Sequence, residues 1–209
     1  MGPESLAAVG RGSTLAGVAE ERLRQAFAAI DAANADDPVQ ITVRGEDRPK
    51  ELAHAELVTE WIRRLEPAAS EPLLLAGRAH HLRRWTIPRS SHPEGRSGYL
   101  RWRRALHDQH ARDVAAILAE VGYDDATITR VQDLVRKRGL GKDPEVQVLE
   151  DALCLVFAET QLGDLAQRVD PEKMHDVVRK TLAKMSPRAI ELAKELDLPP
   201  ESRALLLDP

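Results

Sequence analysis

Along most of the chain, apolar residues recur every three or four positions, the spacing of a helix with one buried stripe, and sustained alternation is nearly absent. The first stripe, Val18, Leu23, Phe27 and Ile30, predicts a helix over about 15–35 that stops at Asp36-Asp37-Pro38. Val39 to Val43 can form one short extended segment, too little to imply a sheet. Pro49 suits a first helical turn, where its missing N–H is not needed, and predicts a second helix to about Leu65. Ser70 is a candidate N-cap for a third helix over 72–85. Thr86 to Gly98 carries Pro88, Pro93, Gly95 and Gly98 and reads as an irregular loop. A long helix then runs from about Tyr99 to Val121 and stops at Gly122. Asp124 to Lys137 follows, with Ile128, Val131, Leu134 and Val135 as its buried face. Asp143-Pro144, Asp170-Pro171 and Ser186-Pro187 each pair an N-cap with proline at the first helical position, opening helices over about 144–166, 171–185 and 187–196. The pattern predicts an all-α, multi-helix bundle over residues 15–209, preceded by a weakly patterned, flexible N-terminus over 1–14.

Composition supports this picture. Hydrophobic residues are 43 % and charged residues 31 % of 209, so the chain is neither disordered nor membrane-like in character. Aromatics are only 3 %, and Ala, Leu, Glu and Arg, which lose little rotamer freedom in a helix, are abundant. No stretch approaches the length of a membrane span and no signal peptide is visible, so a cytoplasmic location is the default expectation. The lone Cys154 lies in an apolar run and reads as a small buried hydrophobe.

Charge changes the picture locally. The formal net charge is −4, yet the segment Arg78 to Arg104 holds eight arginines and a single acid, Glu94. Guanidinium groups match phosphate, sulfate or carboxylate in bidentate fashion. Arg78, Arg84, Arg89, Arg96, Arg101 and Arg103 are therefore candidate contacts for a small anionic substrate.

Candidate chemistry sits where polar groups interrupt apolar faces. His54 shares its helical stripe with Val58, Trp61, Ile62 and Leu65. In a helix, adjacent residues diverge by about 100°, so either His80 or His81 is expected to face the same spot. Gly77, which permits close approach of a neighbour, favours His81. His110 aligns with Val114, Ile117 and Val121 on the buried side of the long helix. Glu150 and Asp151 lie in a segment that is apolar nearly all round, where carboxylates need a cation, a histidine or a metal as partner. Inward histidines on three helices with a buried acid on a fourth suit one divalent transition metal ion.

The order His54, His80-His81, His107/His110 and Asp151, with Leu149-Glu150-Asp151-Ala152-Leu153 as a closing acidic segment, resembles the HD-domain superfamily of metal-dependent phosphohydrolases. More closely, Asp31-Ala32-Ala33-Asn34 with Asp37-Pro38, Pro49-Lys50-Glu51-Leu52, His81 to Arg89, Gly98 to Arg103 and Lys184-Met185-Ser186 resemble an uncharacterised family known as domain of unknown function 4202. The first resemblance implies an HD-like helical bundle. It also implies metal ligation by His54, His80 or His81, His110 and Asp151. The chain departs from that pattern, because His81 stands where the aspartate of the His-Asp pair is expected. A mononuclear site is therefore favoured over a dinuclear one. The expected function is hydrolysis of a small phosphorylated or nucleotide-like substrate, with Glu150 as general base or as the group that orients a ligating histidine. The alternatives are a metal-dependent oxygenase on the same site, or a non-catalytic anion- or nucleic-acid-binding protein using Arg78 to Arg104.

Overall fold

The computed structural model describes the backbone of residues 7–207 and the side chains of 17–206. Helix α1, Ala7–Ala35, starts eight residues before the expected Leu15. Residues 1–6, the first part of the stretch expected to be flexible, lie outside the described residues. The rest of that stretch is helical backbone, opening on Ala7 and Ala8 and continuing through Gly10 and Gly12 into the first predicted stripe.

After α1 the chain forms a β-hairpin, strands β1 Gln40–Val43 and β2 Glu46–Pro49, antiparallel and pairing Val43 with Glu46 and Gln40 with Pro49. A sheet was not expected here, because Glu46-Asp47-Arg48 of β2 is polar throughout and leaves no alternation to detect. The two-residue turn closes the hairpin: Arg44 and Gly45 both have positive φ, the geometry whose twist matches paired strands.

Helices α2 Lys50–Leu65, α3 Glu71–Ala79, α4 Gly95–Val121, α5 Asp125–Val135 and α6 Pro144–Thr160 make the body of the molecule. Short helices α7 Leu162–Ala166, α8 Pro171–Leu182, α9 Pro187–Lys194 and α10 Pro200–Leu207 complete it. Ser70, Asp143, Asp170 and Ser186 cap their helices as the sequence implied, each accepting a hydrogen bond from a backbone N–H in the first turn, and Gly122 closes α4 in the left-handed conformation. Asp124, expected as the first helical residue, is instead the N-cap of α5. Helices α2, α3 and α6 meet at the centre, burying Val58, Ile62, Leu73, Leu75, Leu149 and Leu155, while α4 packs on α5. No described helix is long and apolar enough to cross a membrane.

Two departures shape the site. Helix α3 stops at Ala79 rather than 85, and residues 80–86 turn tightly, with Arg83 in the left-handed region (φ 53°). Helix α4 starts at Gly95, a turn earlier than expected, because the Pro/Gly segment folds back under it. A Cβ at Gly98 would fall on the carbonyl of Pro93, which is backbone and cannot give way. Propensity alone says that Gly98→Ala stabilises a helix by up to about 1 kcal/mol. The packing reverses the sign, and Gly98→Ala is expected to cost roughly 1–3 kcal/mol in chemical denaturation.

Candidate functional site

The C-terminal end of α1 and the residues just after it supply three polar side chains, each fixing a different part of the site. Asp31 accepts two hydrogen bonds from the Arg78 guanidinium, both at 2.5 Å, and so anchors α3. Asn34 Oδ1 accepts from the backbone N–H of Arg83 at 3.1 Å, satisfying the strained turn after α3. Asp37 accepts from the backbone N–H of Val39 at 2.9 Å and of Glu51 at 3.0 Å, which ties the hairpin to the first turn of α2. From the other side, Gln109 of α4 donates to the carbonyl of Arg83 (3.2 Å) and His110 Nδ1 to that of Leu82 (2.7 Å).

These contacts hold Glu51, His80 and His81 together, with one ligand-capable atom from each within 4.8 Å of the others. Glu51 is buried. Its Oε2 accepts from His81 Nδ1 at 3.0 Å, lies 3.7 Å from His54 Nδ1, and its Oε1 is 3.6 Å from Arg84 Nε. The Nδ1–H of His80 donates to the Gly77 carbonyl at 2.8 Å, leaving Nε2 as an unprotonated acceptor, the arrangement common in metal-binding histidines. Both members of the His80-His81 pair reach the site, although the helix argument allowed for one. The chain has already left the helix at His80, so the 100° divergence no longer applies and the rings lie 4.1 Å apart.

Protonation suits a cation. Burial opposes the Glu51 carboxylate, but His81 and His54 outweigh it and hold its carboxyl well below the usual range. Burial, then His81, pushes His80 well below an ordinary histidine, and burial brings His81 to about 4 against the pull of Glu51. Near neutral pH the group is thus one carboxylate with two neutral imidazoles, the deprotonated state that metal binding requires.

His80 and His81 form one wall of a cavity of about 230 Å³. Arg84, Arg103, Lys137 and His107 line the rest, with Tyr99 and Trp102 at its side. Burial, then the charge of Arg103, lowers His107 to about 4, so it is neutral at physiological pH. Burial, then His81, lowers His110 to about 3; its Nε2 is buried without a partner.

Of the expected residues, His54 lies beside Glu51 but outside the ligand-capable group; its Nε2 contacts Thr160 Oγ1 at 3.2 Å. His110 lines the cavity and is likewise outside that group. Asp151 is engaged elsewhere: its Oδ1 accepts from Gln147 (2.9 Å) and from the backbone N–H of Ser186 (2.8 Å), joining α6 to the start of α9. Glu150 is paired with Lys137 and lies 3.8 Å from Lys184. Burial works against its charge, but these lysines hold its carboxyl below the ordinary value, so it orients Lys137 rather than standing free as a base. Cys154 is buried, and burial pushes its thiol up to about 12.

The arginine segment divides. Arg84 and Arg103 face the cavity. Arg78 is consumed by Asp31 and Glu56, and Arg89 staples its own loop through the carbonyls of His92 (2.9 Å) and Pro93 (3.0 Å). Arg96 and Arg101 lie on the exposed face of α4. Two groups of the site were absent from the expected set. Glu51 had a signal: it stands three residues before His54, on the same buried stripe of α2. Lys137 had none, since it reaches the cavity from the turn that ends α5.

No curated protein and no solved structure matches the chain. A family model described as "Domain of unknown function (DUF4202)" matches residues 24–206, spanning the hairpin, the residues at the end of α1 and every side chain of the cluster. The chain therefore belongs to the family of the domain of unknown function DUF4202.

Proposed function

We propose that this protein is a mononuclear metal-dependent hydrolase of small phosphorylated or nucleotide-like substrates, with Glu51, His80 and His81 as the metal ligands. The observation that carries this reading is the Glu51/His80/His81 group itself, deprotonated and set against a cavity with cationic walls. Two imidazoles and one carboxylate are a donor set suited to zinc or iron. When bound, such an ion supplies Lewis acidity and an activated water. Arg103 and Lys137 neutralise the substrate's anion and orient it. Arg84 is shared between Glu51 and the cavity and couples ligand charge to substrate charge. His107, neutral and with no hydrogen-bond partner for its ring among the described residues, is the proton acceptor on the wall, a role Glu150 cannot take while it pairs with Lys137. Of the ligands that the resemblance to HD-domain hydrolases implied, this reading keeps the His80-His81 pair and sets Glu51 in place of His54 and Asp151.

The same donor set also serves iron-dependent oxygenases, which is the second reading. Elemental analysis of the purified chain separates them. About one equivalent of zinc, manganese or iron, with chelator-sensitive release of phosphate from p-nitrophenyl phosphate or nucleotides, supports the hydrolase. Iron with oxygen-dependent turnover supports the oxygenase. A chain that takes up no metal on dialysis against zinc, iron or manganese overturns both. In the hydrolase, Arg103→Ala is expected to raise KM about tenfold or more, since it removes a charge-assisted contact to the anion.

A further inference from the structure

We propose that the anion entering this cavity is the terminal phosphate of a single-stranded nucleic acid, whose following nucleotides lie along the exposed N-terminal half of α4. The entry of the terminus rests on the reading of the cavity as an anion site; the strand path rests on independent features. Arg96, Leu100, Arg103 with Arg104, and His107 recur at helical spacing and form one stripe on α4. At 1.5 Å per residue the stripe is about 16 Å long. It runs without a break into the cavity. Arg103 and His107 line both the cavity and an adjoining groove, where they meet Leu100, Arg104, Arg136 and Arg138. Leu100 and Arg104 in turn border a further hollow containing Arg96 and Arg101.

The charges on this path are available. Arg136 and Arg138 are paired with Asp108 and Asp133. Four arginines clustered in the N-terminal half of α4, Arg96, Arg101, Arg103 and Arg104, stand without an acidic partner among the described residues. In a chain with net charge −4, that points to an outside anion that repeats along a line. Tyr99, 42 % exposed, and Leu100, 54 % exposed, offer the flat and apolar surface on which bases stack. The cavity argues the same way. About 230 Å³ falls below the roughly 300–1,000 Å³ usual for whole small-molecule sites, so it houses the end of a ligand rather than all of it.

The test is fluorescence anisotropy with single-stranded hexanucleotides phosphorylated at the 5′ or the 3′ end and labelled at the other, against the matching mononucleotide. At least one hexamer is expected to bind ten times more tightly than the mononucleotide or better. Three phosphate contacts give a log–log salt slope of about −2, and the double variant Arg96→Glu/Arg104→Glu flattens it by about 1.4. Its metal content and circular dichroism should match the wild type. Equal binding of hexamer and mononucleotide overturns the proposal, as does a salt slope near zero or an unaffected double variant. Binding of polyphosphate or anionic vesicles in place of the hexamers overturns it as well. Salt-dependent hexamer binding by a chain that takes up no metal supports the strand path and removes only the hydrolase reading.

Discussion

Glu51→Gln is expected to strip the metal from the protein while leaving it folded. Glutamine keeps the side-chain shape and an acceptor for His81 Nδ1, now 3.0 Å from Glu51 Oε2, but removes the negative charge that the ion needs. Loss of groups that merely orient ligands costs about 10–100-fold in metal affinity, so replacing a ligand should cost on the order of 100-fold or more. Glu51→Ala is the harsher change. It leaves His54, His81 and Arg84 without their shared carboxylate in a buried setting, and removing one partner of such a group costs about 3–5 kcal/mol. Asp151→Asn is the control, because an amide oxygen can still accept from Gln147 and from the Ser186 N–H. Metal content by elemental analysis decides between two ligand sets. If Asp151→Asn empties the protein and Glu51→Gln does not, the acid on α6 is the ligand and the assignment to α2 is wrong.

The second large effect is acid instability of the chelator-treated protein. His80, His81, His107 and His110 are held neutral by burial, with folded values well below that of an ordinary histidine, about 4 for His81 and His107 and about 3 for His110. The unfolded chain takes up these protons near pH 6.5, whereas the folded chain refuses them until much lower pH. Between those limits the unfolded state binds more protons, so the stability these groups retain above pH 6.5 is lost as pH falls towards 3. For His110, which is fully buried, the difference between 6.5 and about 3 is worth of order 4 kcal/mol at the acid end. A domain of this kind is stable by about 5–15 kcal/mol, so four such groups suffice to unfold it in mild acid. Urea titrations at pH 7.5, 6.0 and 4.5 measure the slope. His110→Asn keeps a donor for the Leu82 carbonyl and removes the titration, and it should flatten the profile; an unchanged profile would falsify the assignment of the effect to these histidines.

Much of the fold was legible along the chain. Apolar spacing marked the long helices, and the Asp-Pro and Ser-Pro pairs marked where α6, α8 and α9 begin, because an N-cap and a proline at the first position act within a single turn. The buried histidines were legible too, as polar residues on apolar faces. The local run of charge marked the segment that holds Arg84 and Arg103, though not which of its arginines line the cavity. What remained hidden was set by partners distant in sequence. The hairpin was missed because β2 carries no apolar pattern. The end of α3 at Ala79 follows from contacts with Asn34, Gln109 and His110, which hold the turn after it and so bring both His80 and His81 to one point.

The acid of the cluster shows the division most clearly. By itself the sequence determined that carboxylates on buried faces must find partners, since an unpaired buried charge is costly whatever the fold. That rule applied equally to Glu51, Glu150 and Asp151, and it could not assign the partners. The tertiary structure gave Lys137 to Glu150, the α9 N-terminus to Asp151, and the histidines to Glu51. The same holds for the arginines. Their number and crowding between Arg78 and Arg104 were fixed by the sequence, but which of them remained free for an external anion depended on where Asp31 and the loop carbonyls fell in space. Burial cost is local and can be read residue by residue; pairing is a property of distances, and only the folded chain sets those.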